Sequence, residues 1–199
     1  MSSDIQTKWD LRYRDAELPR PPCKLLAEHR SLLPASGNAL DLACGLGGNA
    51  VFLAESGLAV DAVDVSPVAI DHLNHYASLH QLPIRGRCRD VEKTGQGDDL
   101  RYDVIVVSYF LYRPLLPVLA GVLQPEGLLF YQTFNSIKHS THGPSTKDFL
   151  LNDGELPLAM PDLDIVFHQQ DIQGENTDGP WQTGYIGRAR TIHRSPRLR

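Results

Sequence analysis

From residue 39 onward, short apolar runs alternate with stretches of helical period. Residues 39–44 (Ala-Leu-Asp-Leu-Ala-Cys) read as a short buried strand. Gly45-Leu46-Gly47-Gly48 is a turn, and residues 49–56 are a helix stopped by Gly57. A second strand is expected over 59–63. Ser66 is a candidate cap and Pro67 suits a first helical turn, so a helix is predicted to about residue 80. Strands follow at 84–89 and 102–108, the latter rich in β-branched residues, as in a central strand covered on both faces. A helix is predicted at 114–122. A tight turn at 124–127 then leads into a fifth strand, 128–134.

The first third is different. Ile5, Trp9 and Tyr13 fall at i, i+4 and i+8, which predicts a helix over about 4–15 with one apolar face. Pro19, Pro21 and Pro22 separate it from a short helix over 24–33, ending before Pro34. At the other end, 163–169 and 184–193 are both strand-like and form an expected antiparallel pair. The alternation predicts an α/β fold: a doubly wound, Rossmann-like, seven-stranded sheet, mostly parallel with an antiparallel C-terminal pair and helices on both faces. One domain is expected over 1–199, with 1–34 a helical lid segment and 35–199 the core.

Composition narrows the function. The chain has 199 residues, 42% hydrophobic and 22% charged, an ordinary globular mix. Its net charge of −5 argues against nucleic acid as a partner. There is no apolar run of membrane-spanning length and no secretory pattern at the start. Cys23, Cys44 and Cys88 are odd in number and widely spaced, so a reduced, cytoplasmic protein without a metal site is the simplest reading. Between residues 149 and 187 there is no Lys or Arg, whereas the tail is basic, with Arg188, Arg190, Arg194, Arg197 and Arg199.

Candidate chemistry gathers at the first strand. A strand running into glycines and then a helix lets a ligand approach bare backbone and free helical N–H groups. Asp64 ends the next strand, nineteen residues beyond Gly45. A carboxylate there accepts hydrogen bonds from ribose hydroxyls, which points to a nucleoside ligand. Gly45-Leu46-Gly47-Gly48-Asn49-Ala50 literally matches the dinucleotide fingerprint, so an NAD(P)-dependent oxidoreductase is one reading. Asp41 opposes it: a carboxylate aimed into the pocket would repel a pyrophosphate and suit a cation such as a sulfonium. The Tyr-x-x-x-Lys pair of short-chain dehydrogenases is absent.

These motifs, in this order, resemble the class I S-adenosylmethionine-dependent methyltransferases, and more narrowly the small tellurite-resistance-type enzymes. Asp41, Gly45 and Gly47 match the family's acidic-glycine motif, with Ala43 in place of its first glycine. The resemblance implies S-adenosyl-L-methionine as cofactor. It implies contacts from Asp41, Ala43, Cys44, Gly45, Gly47 and Asn49 around the turn. It adds Asp64, Val65 and Ser66 after the second strand, and Asp90 and Val91 around the adenine. Ser108 would flank the methionine portion together with Tyr109. Trp9 and Tyr13, on a helix similar to the family's N-terminal one, would close over the cofactor. Gln124-Pro125-Glu126-Gly127 matches the family's turn into the fifth strand, and residues 150–156 resemble the segment before the narrower family's last strand pair.

Methyl transfer from a sulfonium is an in-line displacement that needs alignment more than acid catalysis. Substrate-side candidates are Tyr109, Tyr112, Arg113, Asn135, His139 and His142; no residue announces itself as a general base. Residues 108–111 lack the prolines of amino-methylating DNA enzymes, and no Pro-Cys nucleophile lies on that side. A small-molecule acceptor is therefore expected, with no nucleic acid or membrane partner and a monomeric or homodimeric state. An oxyanion acceptor would want basic groups, which 175–187 does not offer. A non-catalytic protein that binds S-adenosylmethionine is the remaining alternative.

Overall fold

The computed structural model describes residues 2–94, 100–137, 144, 146–173 and 181–191. Their strands form a seven-stranded sheet: β1 (Gly37–Leu42), β2 (Leu58–Asp64), β3 (Ile84–Cys88), β4 (Tyr102–Ser108), β5 (Leu123–Phe134), β6 (Leu163–Ile172) and β7 (Gln182–Ala189). The order is β3-β2-β1-β4-β5-β7-β6. β1 to β5 pair in parallel, and β7 lies antiparallel to both β5 and β6. This is the expected doubly wound sheet with its antiparallel end.

β4 explains its central place. Val104, Ile105 and Val106 are fully buried, with alternate side chains going to opposite faces. On one face Leu42, Ile105, Val107 and Leu129 meet Leu115, Leu116 and Leu119. On the other, Val60, Ala62, Val104, Val106 and Phe130 meet α3 (Gly48–Glu55) and α4 (Pro67–Leu79). Each of these Val, Leu, Ile and Phe side chains contributes about 1.5–3 kcal/mol on burial. The α4 face is Ala69, Ile70, Leu73 and Ala77. Its cap is as expected: Ser66 Oγ accepts from the Ala69 N–H at 3.2 Å, with Pro67 at the start.

Elsewhere the helices depart from the pattern. The leading helix α1 spans Ser2–Tyr13. The predicted helix at 24–33 splits into α2 (Lys24–Glu28) and a 3₁₀ turn, Arg30–Leu32. Pro34 drives Leu33 to an extended conformation, and the chain tightens before it. The predicted helix at 114–122 holds only four α residues, α6 (Leu116–Leu119), between 3₁₀ turns at Arg113–Leu115 and Ala120–Val122. Pro117 cannot donate within it. Two short helices were not expected, α5 (Val91–Thr94) and α7 (Glu155–Ala159).

Two strand limits also move. β1 stops at Leu42 because Ala43 turns left-handed, at φ 57°. The turn at 124–127 lies inside β5, where the register against β4 shifts between Tyr102 and Val104. A Cβ at Gly127 would meet the Gln124 and Tyr102 carbonyl oxygens at 2.8 and 3.0 Å, so the turn requires glycine. The last strand ends at Ala189, short of the expected 193; residues 192–199 lie outside the described residues.

Candidate functional site

The strand order reverses between β1 and β4, and in doubly wound sheets ligands bind at the carboxyl ends beside such a switch point. The turn after β1 lies there. Ala43, Gly45 and Gly47 are all left-handed, at φ 57°, 52° and 77°. The turn is pinned by the Cys44 N–H donating to the Val63 carbonyl at 3.0 Å and the Gly47 N–H to the Cys44 carbonyl at 2.9 Å. A Cβ at Gly47 would lie 2.4 Å from Leu73, and one at Gly48 would lie 2.5 Å from the Pro21 carbonyl. Those two glycines therefore serve close packing. Gly45 differs: its Cβ would meet only the Tyr13 side chain, with the hydroxyl at 2.9 Å.

Asp64 is set beside this turn. Its Oδ2 accepts from the Gly45 N–H at 2.8 Å, and its Oδ1 from the Ser66 N–H at 2.9 Å. It is 7% exposed. Burial raises its pKa, backbone hydrogen bonds oppose the rise, and the charge of Asp10 adds to it. Each oxygen keeps acceptor capacity after its one backbone bond.

Asp41 is a correction to the expectation of a carboxylate aimed into the pocket. It is fully buried. Its Oδ2 accepts from the Ala50 N–H at 3.0 Å and its Oδ1 from Asn49 Nδ2 at 3.3 Å. A free N–H in the first turn of α3 draws one oxygen beneath the helix, and the Asn49 side-chain amide holds the other. Burial pushes its pKa up to about 7, against the hydrogen bonds from Asn49 and Ala50. Asn49 joins three elements: its Nδ2 also donates to Ser108 Oγ at 2.8 Å, and its Oδ1 accepts from the Cys23 N–H at 2.9 Å. The buried Cys44 thiol is raised chiefly by desolvation, and then by the charges of Asp41 and Asp64.

The leading helix reaches the same turn. Trp9 and Tyr13 stack with centroids 5.5 Å apart. Burial, then the nearby charge of Asp64, raises the Tyr13 phenol. Asp10, a residue the sequence reading missed, accepts from Ser66 Oγ at 2.5 Å and ties α1 to the start of α4. On the adenine side expected from the resemblance, Asp90 Oδ1 accepts from the Glu92 N–H at 3.2 Å, and Oδ2 lies 3.5 Å from Lys93 Nζ. Asp90 thus caps α5, with Val91 buried behind it. The carbonyl of Val65 faces the Cys88 thiol at 3.5 Å.

Several substrate-side candidates are committed elsewhere. Tyr112 donates to the Glu92 carbonyl at 3.2 Å. Arg113 makes two bonds to Glu155, at 2.6 and 3.0 Å, and also donates to the carbonyls of Asp148 and Leu150. It fastens the 148–155 segment and holds the Glu155 carboxyl below its usual range despite burial. Asn135 is fully buried and donates to the Gln170 carbonyl and to Thr183 Oγ1. Tyr109 stands at the end of β4, 51% exposed. His139 and His142 lie outside the described residues. Among the described residues, no three His, Cys, Asp or Glu side chains converge as a metal site. No helix among them is long and apolar enough to cross a membrane.

Residues 39–127 match the family model of the methyltransferase domain. Fold and matched segment agree on a class: residues 39–127 are similar to a methyltransferase domain, and they lie in a doubly wound, Rossmann-like sheet. Among particular proteins, it is 30% identical over 141 residues to Hemagglutinin 1 of Eikenella corrodens, spanning 67% of this chain and 46% of that one. The chain spans about half the length of the curated relatives it matches. Among solved structures, TehB from Haemophilus influenzae superposes with a TM-score of 0.71 at 16% identity, over 93% of this chain and 67% of that one. Coclaurine N-methyltransferase, bound to N-methylheliamine and SAH, gives 0.64 at 14% identity, over 82% and 70%. At these identities the structural likenesses establish the fold.

Proposed function

We propose that the protein transfers a methyl group from S-adenosyl-L-methionine to a small-molecule acceptor. The observation that carries the reading is the Asp64 carboxylate, buried beside a bare glycine turn and held by the Gly45 and Ser66 N–H groups. The residues fit that cofactor: two acceptor positions remain on a fixed carboxylate for a ribose, and Gly45, left-handed at φ 52°, puts no side chain over the turn. When bound, the cofactor supplies an electrophilic methyl on a sulfonium. Asp64 would hold the sugar, Val65, Asp90 and Val91 would border the adenine, and the turn 43–47 would lie under the methionine portion with Ser108. Asp41 would act through Asn49 and the α3 amides, and Trp9 and Tyr13 would cover the sugar.

The chain's contribution to rate is alignment, which can supply roughly 7–11 kcal/mol when nucleophile and methyl are held in line. The net charge of −5 and the commitment of Arg113 to Glu155 support a small acceptor over a nucleic acid or an oxyanion. Calorimetry tests the cofactor assignment. Asp64→Ala should weaken S-adenosylmethionine binding by about 1–3 kcal/mol, as for a lost buried acceptor. Unchanged affinity would refute the role of Asp64. Release of S-adenosylhomocysteine across thiols, amines, phenols and chalcogen oxyanions tests the reaction; binding without turnover throughout would favour a non-catalytic binder.

A further inference from the structure

The carboxyl end of β4 carries an aromatic residue in a costly backbone conformation. Tyr109 sits at φ 57°, in the left-handed region that favours glycine. For a bulky residue this is a true outlier, and such strain concentrates at ligand sites. The backbone bond made there, the Tyr109 N–H donating to the Gln132 carbonyl at 2.8 Å, needs no aromatic side chain. Half of Tyr109 is nonetheless open to solvent. Its ring lies 5.6 Å from that of Phe134, at the end of the neighbouring strand β5, with planes tilted by 41°. Two tilted rings, one of them half exposed, stand side by side at this edge. A third ring can meet them at the 4.5–7 Å centroid spacing that aromatic pairs prefer.

Three polar side chains of the neighbouring segments are held by protein partners. Ser108 Oγ is held by Asn49, Asn135 by Thr183 and Gln170, and Arg113 by Glu155. We infer that Tyr109 and Phe134 are the wall on which the methyl acceptor stacks, and that the acceptor carries an aromatic ring. This deepens the proposed function and rests on it.

The test uses 2-phenylethanethiol and 2-cyclohexylethanethiol, which share a nucleophile and differ in the ring. Binding is read by saturation-transfer NMR, and methylation by S-adenosylhomocysteine release. The wild type should favour the phenyl compound at least tenfold in both readouts. Tyr109→Gly, which the left-handed backbone accepts without strain, should cut the preference below threefold while keeping or raising Tm. Phe134→Leu should reduce it in the same direction. Equal handling of the two thiols overturns the inference, as does a preference that survives Tyr109→Gly. Displacement of the phenyl compound by micromolar tetramethylammonium also overturns it, because the wall would then be a cation site. The two readings fail separately. Discrimination at Tyr109 without S-adenosylmethionine binding would leave the wall and remove the methyltransferase assignment. Methylation without discrimination would do the reverse.

Discussion

Asp41→Asn should flatten the fall in stability between pH 4 and 7. In the fold the Asp41 carboxyl is fully buried, and desolvation carries its pKa from 3.8 to about 7. The unfolded chain releases that proton near pH 4, while the folded chain keeps it to about pH 7. A raised carboxyl pKa means stability that is present below the unfolded value and lost as pH climbs through the folded one. At about 1.4 kcal/mol per pH unit, the loss approaches about 4 kcal/mol, an order-of-magnitude figure. Asn at this position still accepts from the Ala50 N–H. Its own amide would face Asn49 Nδ2, giving a constant offset of about 1 kcal/mol. Urea unfolding of both proteins from pH 4 to 8 isolates this group, because the remaining titrations cancel in the difference. Wild-type stability minus variant stability should be greatest at pH 4, decline to pH 7 and then level off. A difference that changes by less than about 1 kcal/mol between pH 4.5 and 7.5 would refute the reasoning.

Other perturbations follow from the same geometry. Ala43→Gly should stabilise the protein by about 0.5–1 kcal/mol, because relief of left-handed strain outweighs the added freedom of the unfolded chain; a lower Tm would contradict this. Arg113→Ala should free the 148–155 segment and cost about 1–2 kcal/mol, a figure held down because Arg113 is 37% exposed. Hydrogen exchange of residues 147–159 should quicken at least tenfold, and unchanged protection would count against the clamp. The loss of cofactor affinity in Asp64→Ala, stated above, completes the set.

The strands and their doubly wound arrangement were legible because β4 and its neighbours write their burial as apolar runs, and because glycine and proline punctuate them. The Ser66 cap and the position of Asp64 were legible for the same local reason. What a side chain does after the backbone is placed was not. Asp41 reads as a pocket carboxylate, yet it turns to amides eight and nine residues away, and only the helix packed above it decides that. Arg113 reads as a substrate ligand, but its partner Glu155 is 42 residues distant, on a helix of five residues too short to leave a periodic signal. Pro117 was visible; that two 3₁₀ turns would absorb it was a matter of packing. Asp10 carried no mark at all, since its bond to Ser66 exists only once α1 lies over α4.

Asn49 gives its amide hydrogens to β1 and β4 and takes one from the segment before α2. Only a carboxamide can answer all three neighbours at once; an acid has nothing to give, and an alkyl group neither gives nor takes. The switch point of the sheet and the chain before α2 therefore share a single joint, and a disturbance of either end reaches the other without crossing the sheet.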